Sequence, residues 1–370
     1  MNALLYTPIY LTIIGILSLA MGLKLIATDG DTLAIGEENK GNFILPFAIS
    51  VFFAIWMGIR PISFVFGDTW AYAHSYNLID VHTLPSLMLN TEWLWSFISF
   101  LCKKYGLSVH QYFLIIEIGY VFSAFWAVKK FVPTSPYLGI LFVFSSLMFF
   151  TFGVNGLRNG LACHVVMLAM AFFMEDKRII AFVLAFFALG IHRSVMLPIA
   201  GVIASITVIK EPKIALYIWL SSILISLFFG KEITSFMSSL GFDERMTFYT
   251  TSHEYDNQFS STGFRWDFIL FSAMPIAMIF YVNIWKDLHD GWYNILATTY
   301  LLSNAFWIIV IRTSFTNRFA YLSWFLMPIL LVYPLCNMKA WENQDRVAGQ
   351  ILIAYTAFTI FMMTFFWSYR

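Results

Sequence analysis

Residues 151–194 read TFGVNGLRNGLACHVVMLAMAFFMEDKRIIAFVLAFFALGIHRS. Two apolar segments flank one charged turn, Glu175-Asp176-Lys177-Arg178. That pattern predicts a helical hairpin that crosses hydrocarbon, with its turn on one side of a membrane. Arg158 opens the first segment, and His192 and Arg193 close the second. All three fall on the side opposite the turn.

The rest of the chain has the same character. Of 370 residues, 60% are hydrophobic and 12% charged, and mean hydropathy is +0.75. A soluble domain carries about 25% charged residues. Membrane-barrel alternation is absent, so the class is an all-α polytopic membrane protein, whose helices satisfy their own backbone groups in lipid. About twelve spans are expected, within a range of 10–13: 4–27, 43–59, 110–131, 136–154, 157–174, 178–191, 194–209, 213–230, 266–285, 292–311, 318–336 and 347–367. The first lacks a basic leader and a cleavage site, and reads as a retained span rather than a signal peptide. The whole of 1–370 reads as a single integral-membrane domain without repeats. Two loops, 60–109 and 231–265, interrupt it. Within them 92–105 and 231–251 read as interfacial helices, being apolar but too short or too polar to cross.

A net charge of +1 gives no case for nucleic acid. Cys102, Cys163 and Cys336 have neither disulfide nor metal spacing. Asp29-Gly30-Asp31 imitates a metal-binding motif without a nucleotide-binding domain around it. His253, Glu254 and Asp256 lack helical ligand spacing. No metal and no cofactor are expected.

Twelve spans sort the basic residues onto two faces. One holds nine of twelve lysines and the other eight of ten arginines. Lysines in short turns mark the cytoplasmic side, whereas arginine suits bidentate contacts to phosphate or carboxylate. The arginine face carries Arg158, Arg193, Arg265, Arg312 and Arg318. Asp68, Tyr72 and Tyr76 follow the second span at helical spacing. Asp68 is either a helix N-cap or a carboxylate facing a cavity. His192 is either a structural histidine or a proton acceptor. Asp267 stands two residues after Arg265, and Tyr321 three after Arg318. Such an arginine cluster repels itself without an anion, and a diphosphate carried on a lipid meets that need.

GDTWAYAHSY, GLRNGLA, GIHRS, FRWDF and TNRFAY, in this order, resemble the EpsG-like branch of the Wzy-type polysaccharide polymerases. The family commonly has a small or hydrophobic residue after the histidine, where this chain has Arg193. The resemblance implies a GT-C-like, multi-pass glycosyltransferase of the bacterial inner membrane with its site facing the periplasm. Such an enzyme joins oligosaccharide repeat units carried on undecaprenyl diphosphate, and the resemblance also implies a chain-length regulator as partner. Asp68 or His192 would accept the proton. Arg158, Arg265 and Arg318, with Arg193 and Arg312, would hold the diphosphate. Tyr72, Tyr76, Asp267 and Tyr321 would meet sugar. The rival readings are an O-antigen ligase, a flippase and a membrane acyltransferase.

Overall fold

The computed structural model describes residues 2–28, 30, 32–33, 42–82, 92–239, 263–313 and 316–366. Asp29, Asp31, His253, Glu254 and Asp256 lie outside the described residues. Among the described residues every regular element is helical. Seven helices among the described residues are long and apolar enough to cross a membrane: Ala3–Ala27, Val109–Phe131, Leu157–Met174, Pro212–Gly230, Trp266–Trp285, Thr316–Asn337 and Gln344–Phe365. Three more apolar helices are shorter, Ile44–Gly58, Arg178–Ile191 and Arg193–Thr207.

The chain forms two compact units. The first takes residues 1–196 and 331–366, and the second is built on 197–330. In the first unit the helices are α1 (Tyr6–Ala27), α2 (Ile44–Gly58), α3 (Thr69–Asn77), α4 (Trp93–Lys104), α5 (Val109–Phe131), α6 (Pro136–Phe144), α7 (Phe149–Val154), α8 (Leu157–Met174) and α9 (Arg178–Ile191). The second unit holds α10 (Met196–Thr207, from Leu197), α11 (Pro212–Ser239), α12 (Trp266–Ile279), α13 (Gly291–Ile309) and α14 (Thr316–Trp324). Then α15 (Met327–Asn337) and α16 (Gln344–Phe361) return the chain to the first unit.

The expected span 318–336 is interrupted at residues 325–326, between α14 and α15, and two further expectations about the spans change. The run 136–154 is not one helix but α6 and α7, broken at residues 145–148. A break in hydrocarbon must have its freed carbonyls met by protein. Tyr10 Oη donates to the Phe144 carbonyl at 2.5 Å, and Thr359 Oγ1 donates to that of Ser145 at 2.7 Å. Thr356 Oγ1 donates to Ser145 Oγ at 2.8 Å, and Tyr120 Oη to the Phe149 carbonyl at 2.8 Å. The second change is at 213–230, where α11 runs without interruption to Ser239. Up to that point there is no separate interfacial helix.

The hairpin forms as α8 and α9, which pack along each other. Its turn is a Schellman motif. Lys177 N–H bonds the Phe172 carbonyl and Asp176 N–H that of Phe173, both at 3.0 Å, with Asp176 at φ +58°. Glu175 is tied to Lys130 and Lys177, each at 2.7 Å. Partial burial alone would raise the Glu175 carboxyl; the bonds and charges of these two lysines carry it below the usual glutamate range.

Arg60, one of the eight arginines counted on the arginine face, is not exposed. It is fully buried against Glu117, which lies inside α5, at 2.9 Å. Its remaining donors reach the Met57 carbonyl at 2.6 Å, Thr69 Oγ1 at 3.1 Å and the Val154 carbonyl at 3.4 Å. One guanidinium therefore ties α2, α3, α5 and α7 together.

Candidate functional site

The first unit brings Arg158 and His192 to one carboxylate, that of Glu92. Three local features place it. Glu92 is the residue before α4. In α4, Trp93 packs on Phe186 and Phe187 of α9, with ring centroids at 5.6 and 6.3 Å. Gly190 permits this approach, since a Cβ there would lie 2.7 Å from Trp93 Cε2. The start of α4 is thereby pressed against the last turn of α9, where His192 follows Ile191 in an extended conformation, φ −155° and ψ 119°.

His192 Nδ1 lies 2.5 Å from Glu92 Oε1, and Arg158 Nη1 donates to Glu92 Oε2. The Glu92 side chain is only 7% exposed, that of His192 18% and that of Arg158 27%. A carboxylate this buried needs a partner, because a buried charge left unpaired costs several kcal/mol, and Glu92 has two. Arg158 also lies 5.7 Å from the Tyr72 ring centroid. Its Nε is buried and has no hydrogen-bond partner among the described residues.

The loop carrying Asp68 is fixed to the junction just before Arg158. Gly67 has φ +58°, a conformation that disfavours side chains. Asp68 N–H donates to Asn155 Oδ1 at 2.8 Å, and Thr69 Oγ1 to the Val154 carbonyl at 2.5 Å. Asp68 occupies the N-cap position of α3, yet its side chain makes no capping hydrogen bond. A Cβ at Gly67 would lie 2.5 Å from Asn155 Oδ1. Gly67→Ala is therefore expected to destabilise the protein by about 1–3 kcal/mol and to loosen Asp68. Thermal unfolding in detergent checks it, and an unchanged midpoint contradicts it.

Two tyrosines are corrected. Tyr76 and Tyr321 are buried, at 1% and 2% exposure, so neither offers a face to a sugar. Tyr76 stacks on Tyr112 at 4.4 Å and donates to the Leu107 carbonyl at 2.7 Å. Burial pushes its hydroxyl up to about 12. On the same helix Trp70 is 44% exposed and stacks on His74. Arg193 begins a short 3₁₀ turn and is exposed.

In the second unit Arg265 and Asp267 form a two-pronged pair at 2.9 and 2.6 Å, and the guanidinium lies 3.8 Å from the Phe268 ring centroid. Both Asp267 oxygens are thus engaged. Arg312 lies 5.5 Å from the Phe264 ring centroid, and its Nε is buried without a hydrogen-bond partner among the described residues. Arg318 is partly buried in the first turn of α14.

Glu92 is the site residue that sequence reasoning passes over. Its signal is nonetheless present: it is the one acidic residue between Asp80 and Glu117, and it directly precedes an amphipathic segment.

No group of three or more His, Cys, Asp or Glu side chains able to hold a metal occurs among the described residues. No curated protein and no solved structure matches the chain. A family model does match, over residues 43–370, and it takes in α2–α9 and the Arg158–Glu92–His192 cluster. On that match the chain belongs to the EpsG family, a family of polysaccharide polymerase-like membrane proteins.

Proposed function

We propose that the protein is a membrane glycosyltransferase of GT-C-like architecture. It polymerises oligosaccharide repeat units carried on undecaprenyl diphosphate, at the periplasmic face of a bacterial inner membrane. The observation that carries the reading is the Arg158–Glu92–His192 cluster, in a chain of polymerase-like family. It supplies a cation for a phosphate and a titratable ring for a hydroxyl, at one end of a membrane hairpin.

In this reading Arg158 holds the donor diphosphate and stabilises the charge that develops on it. Arg265, Arg312 and Arg318 of the second unit are the further cations for anionic substrate groups, and Arg193 is the exposed one. His192 accepts the proton of the acceptor hydroxyl, with Asp68 as the alternative base. The acceptor oxygen bonds the anomeric carbon, and the bond to the diphosphate breaks with its electron pair going to the leaving group. Tyr72, Trp70 and Trp266 offer rings for sugar. The arginines neutralise the diphosphate, so this mechanism needs no metal.

An O-antigen ligase would use the same chemistry but would leave chain length unchanged. A transporter reading draws on Glu117, an ionisable group inside a span. That carboxylate is closed into a pair with Arg60 at 0% exposure for both, which favours a structural role.

The test is made in cells that lack the gene. They should display a single repeat unit where complemented cells display a ladder. Arg158→Lys keeps the charge but loses the planar fork, and should cut polymer about 10²-fold. A ladder of full length and intensity with Arg158→Lys would refute the diphosphate role.

A further inference from the structure

Glu92 touches the two groups that the proposed reaction needs, across 66 residues to Arg158 and 100 to His192. A carboxylate only accepts hydrogen bonds, so the ring nitrogen facing Glu92 Oε1 carries the proton. In the neutral ring the lone pair then lies on Nε2. The other carboxylate oxygen occupies Arg158 Nη1, and a phosphate oxygen is an anion of the same hydrogen-bonding kind.

We infer that Glu92 is a positioning residue: it holds His192 with Nε2 as proton acceptor, and it fills the phosphate place on Arg158 until the lipid diphosphate takes it. The inference rests on the polymerase reading and adds an order of events to it. With the site empty, Arg158 and His192 share the carboxylate. The incoming diphosphate takes the Arg158 donors, and Glu92 stays with His192 alone. The acceptor O–H bond then breaks, the proton passes to Nε2, and the imidazolium so formed rests on the Glu92 carboxylate. Packing holds the carboxylate in place throughout, because Trp93 is set between Phe186, Phe187 and Gly190.

The test uses the full chain, with ¹⁵N-labelled histidine, in nanodiscs of phosphatidylethanolamine and phosphatidylglycerol. At a pH where the ring is neutral, wild-type His192 should be the Nδ1–H tautomer, and Glu92→Ala should move it toward Nε2–H. Farnesyl diphosphate is the binding probe. Glu92→Gln keeps the shape but removes the competing charge, and should bind the probe roughly tenfold tighter than wild type. Adding Arg158→Ala should abolish that gain. An unchanged tautomer in Glu92→Ala, or binding by Glu92→Gln no tighter than wild type, overturns the inference. If both readouts follow expectation but the wild type makes no polymer from lipid-linked units, the polymerase reading fails while the placement of Glu92 stands.

Discussion

Polymer formation falls about 10³-fold when His192 is replaced by alanine, because a positioned proton acceptor contributes about 10²–10⁴-fold. The fold should survive this change. Glu92 keeps its bond to Arg158, so no bare charge is left in the interior. The variant should therefore reach the membrane in normal amount. Rates are read from the release of undecaprenyl diphosphate by purified protein. His192→Ala within a factor of about 10 of wild type would shift the base assignment to Asp68. Asp68→Asn, measured beside it, then shows which of the two side chains carries the proton.

Arg60→Met should be the most destabilising change in the first unit, by about 3–5 kcal/mol. The substitution leaves the Glu117 carboxyl fully buried inside α5, without its partner. It also removes the guanidinium bonds to the Met57 and Val154 carbonyls. Arg60→Met combined with Glu117→Leu removes both charges at similar volume, and should regain most of the loss. Unfolding midpoints in detergent micelles measure the difference. If the double variant is no more stable than the single one, the pair is not the clamp described above.

Much of this architecture is written in local pattern. The hairpin of α8 and α9 follows from two apolar runs and the turn EDKR, since those signals need no distant partner. The placement of Arg158 and His192 at one end follows from the same alternation. Other features depend on partners far along the chain. The break between α6 and α7 sits in an unbroken apolar run, and the groups that support it come from Tyr10, Tyr120, Thr356 and Thr359. In the sequence Arg60 simply follows a span and counts with the arginine face. Only the fold shows that Glu117, 57 residues away, takes it into the interior. Tyr76 lies at helical spacing from Asp68, yet spacing does not reveal that Tyr112 covers its ring. Glu92 could have been singled out as a lone acid ahead of an aromatic helix. Its role rests on contacts that α4 makes with α9, and no local window contains them.

The most direct test reconstitutes the purified protein in liposomes with undecaprenyl-diphosphate-linked repeat units as the sole substrate, in EDTA. The account predicts a ladder of products joined through new glycosidic bonds, with one undecaprenyl diphosphate released for each bond formed, and no ladder with His192→Ala. Units that emerge unjoined, or a ladder lost in EDTA and restored only by a divalent cation, would contradict it.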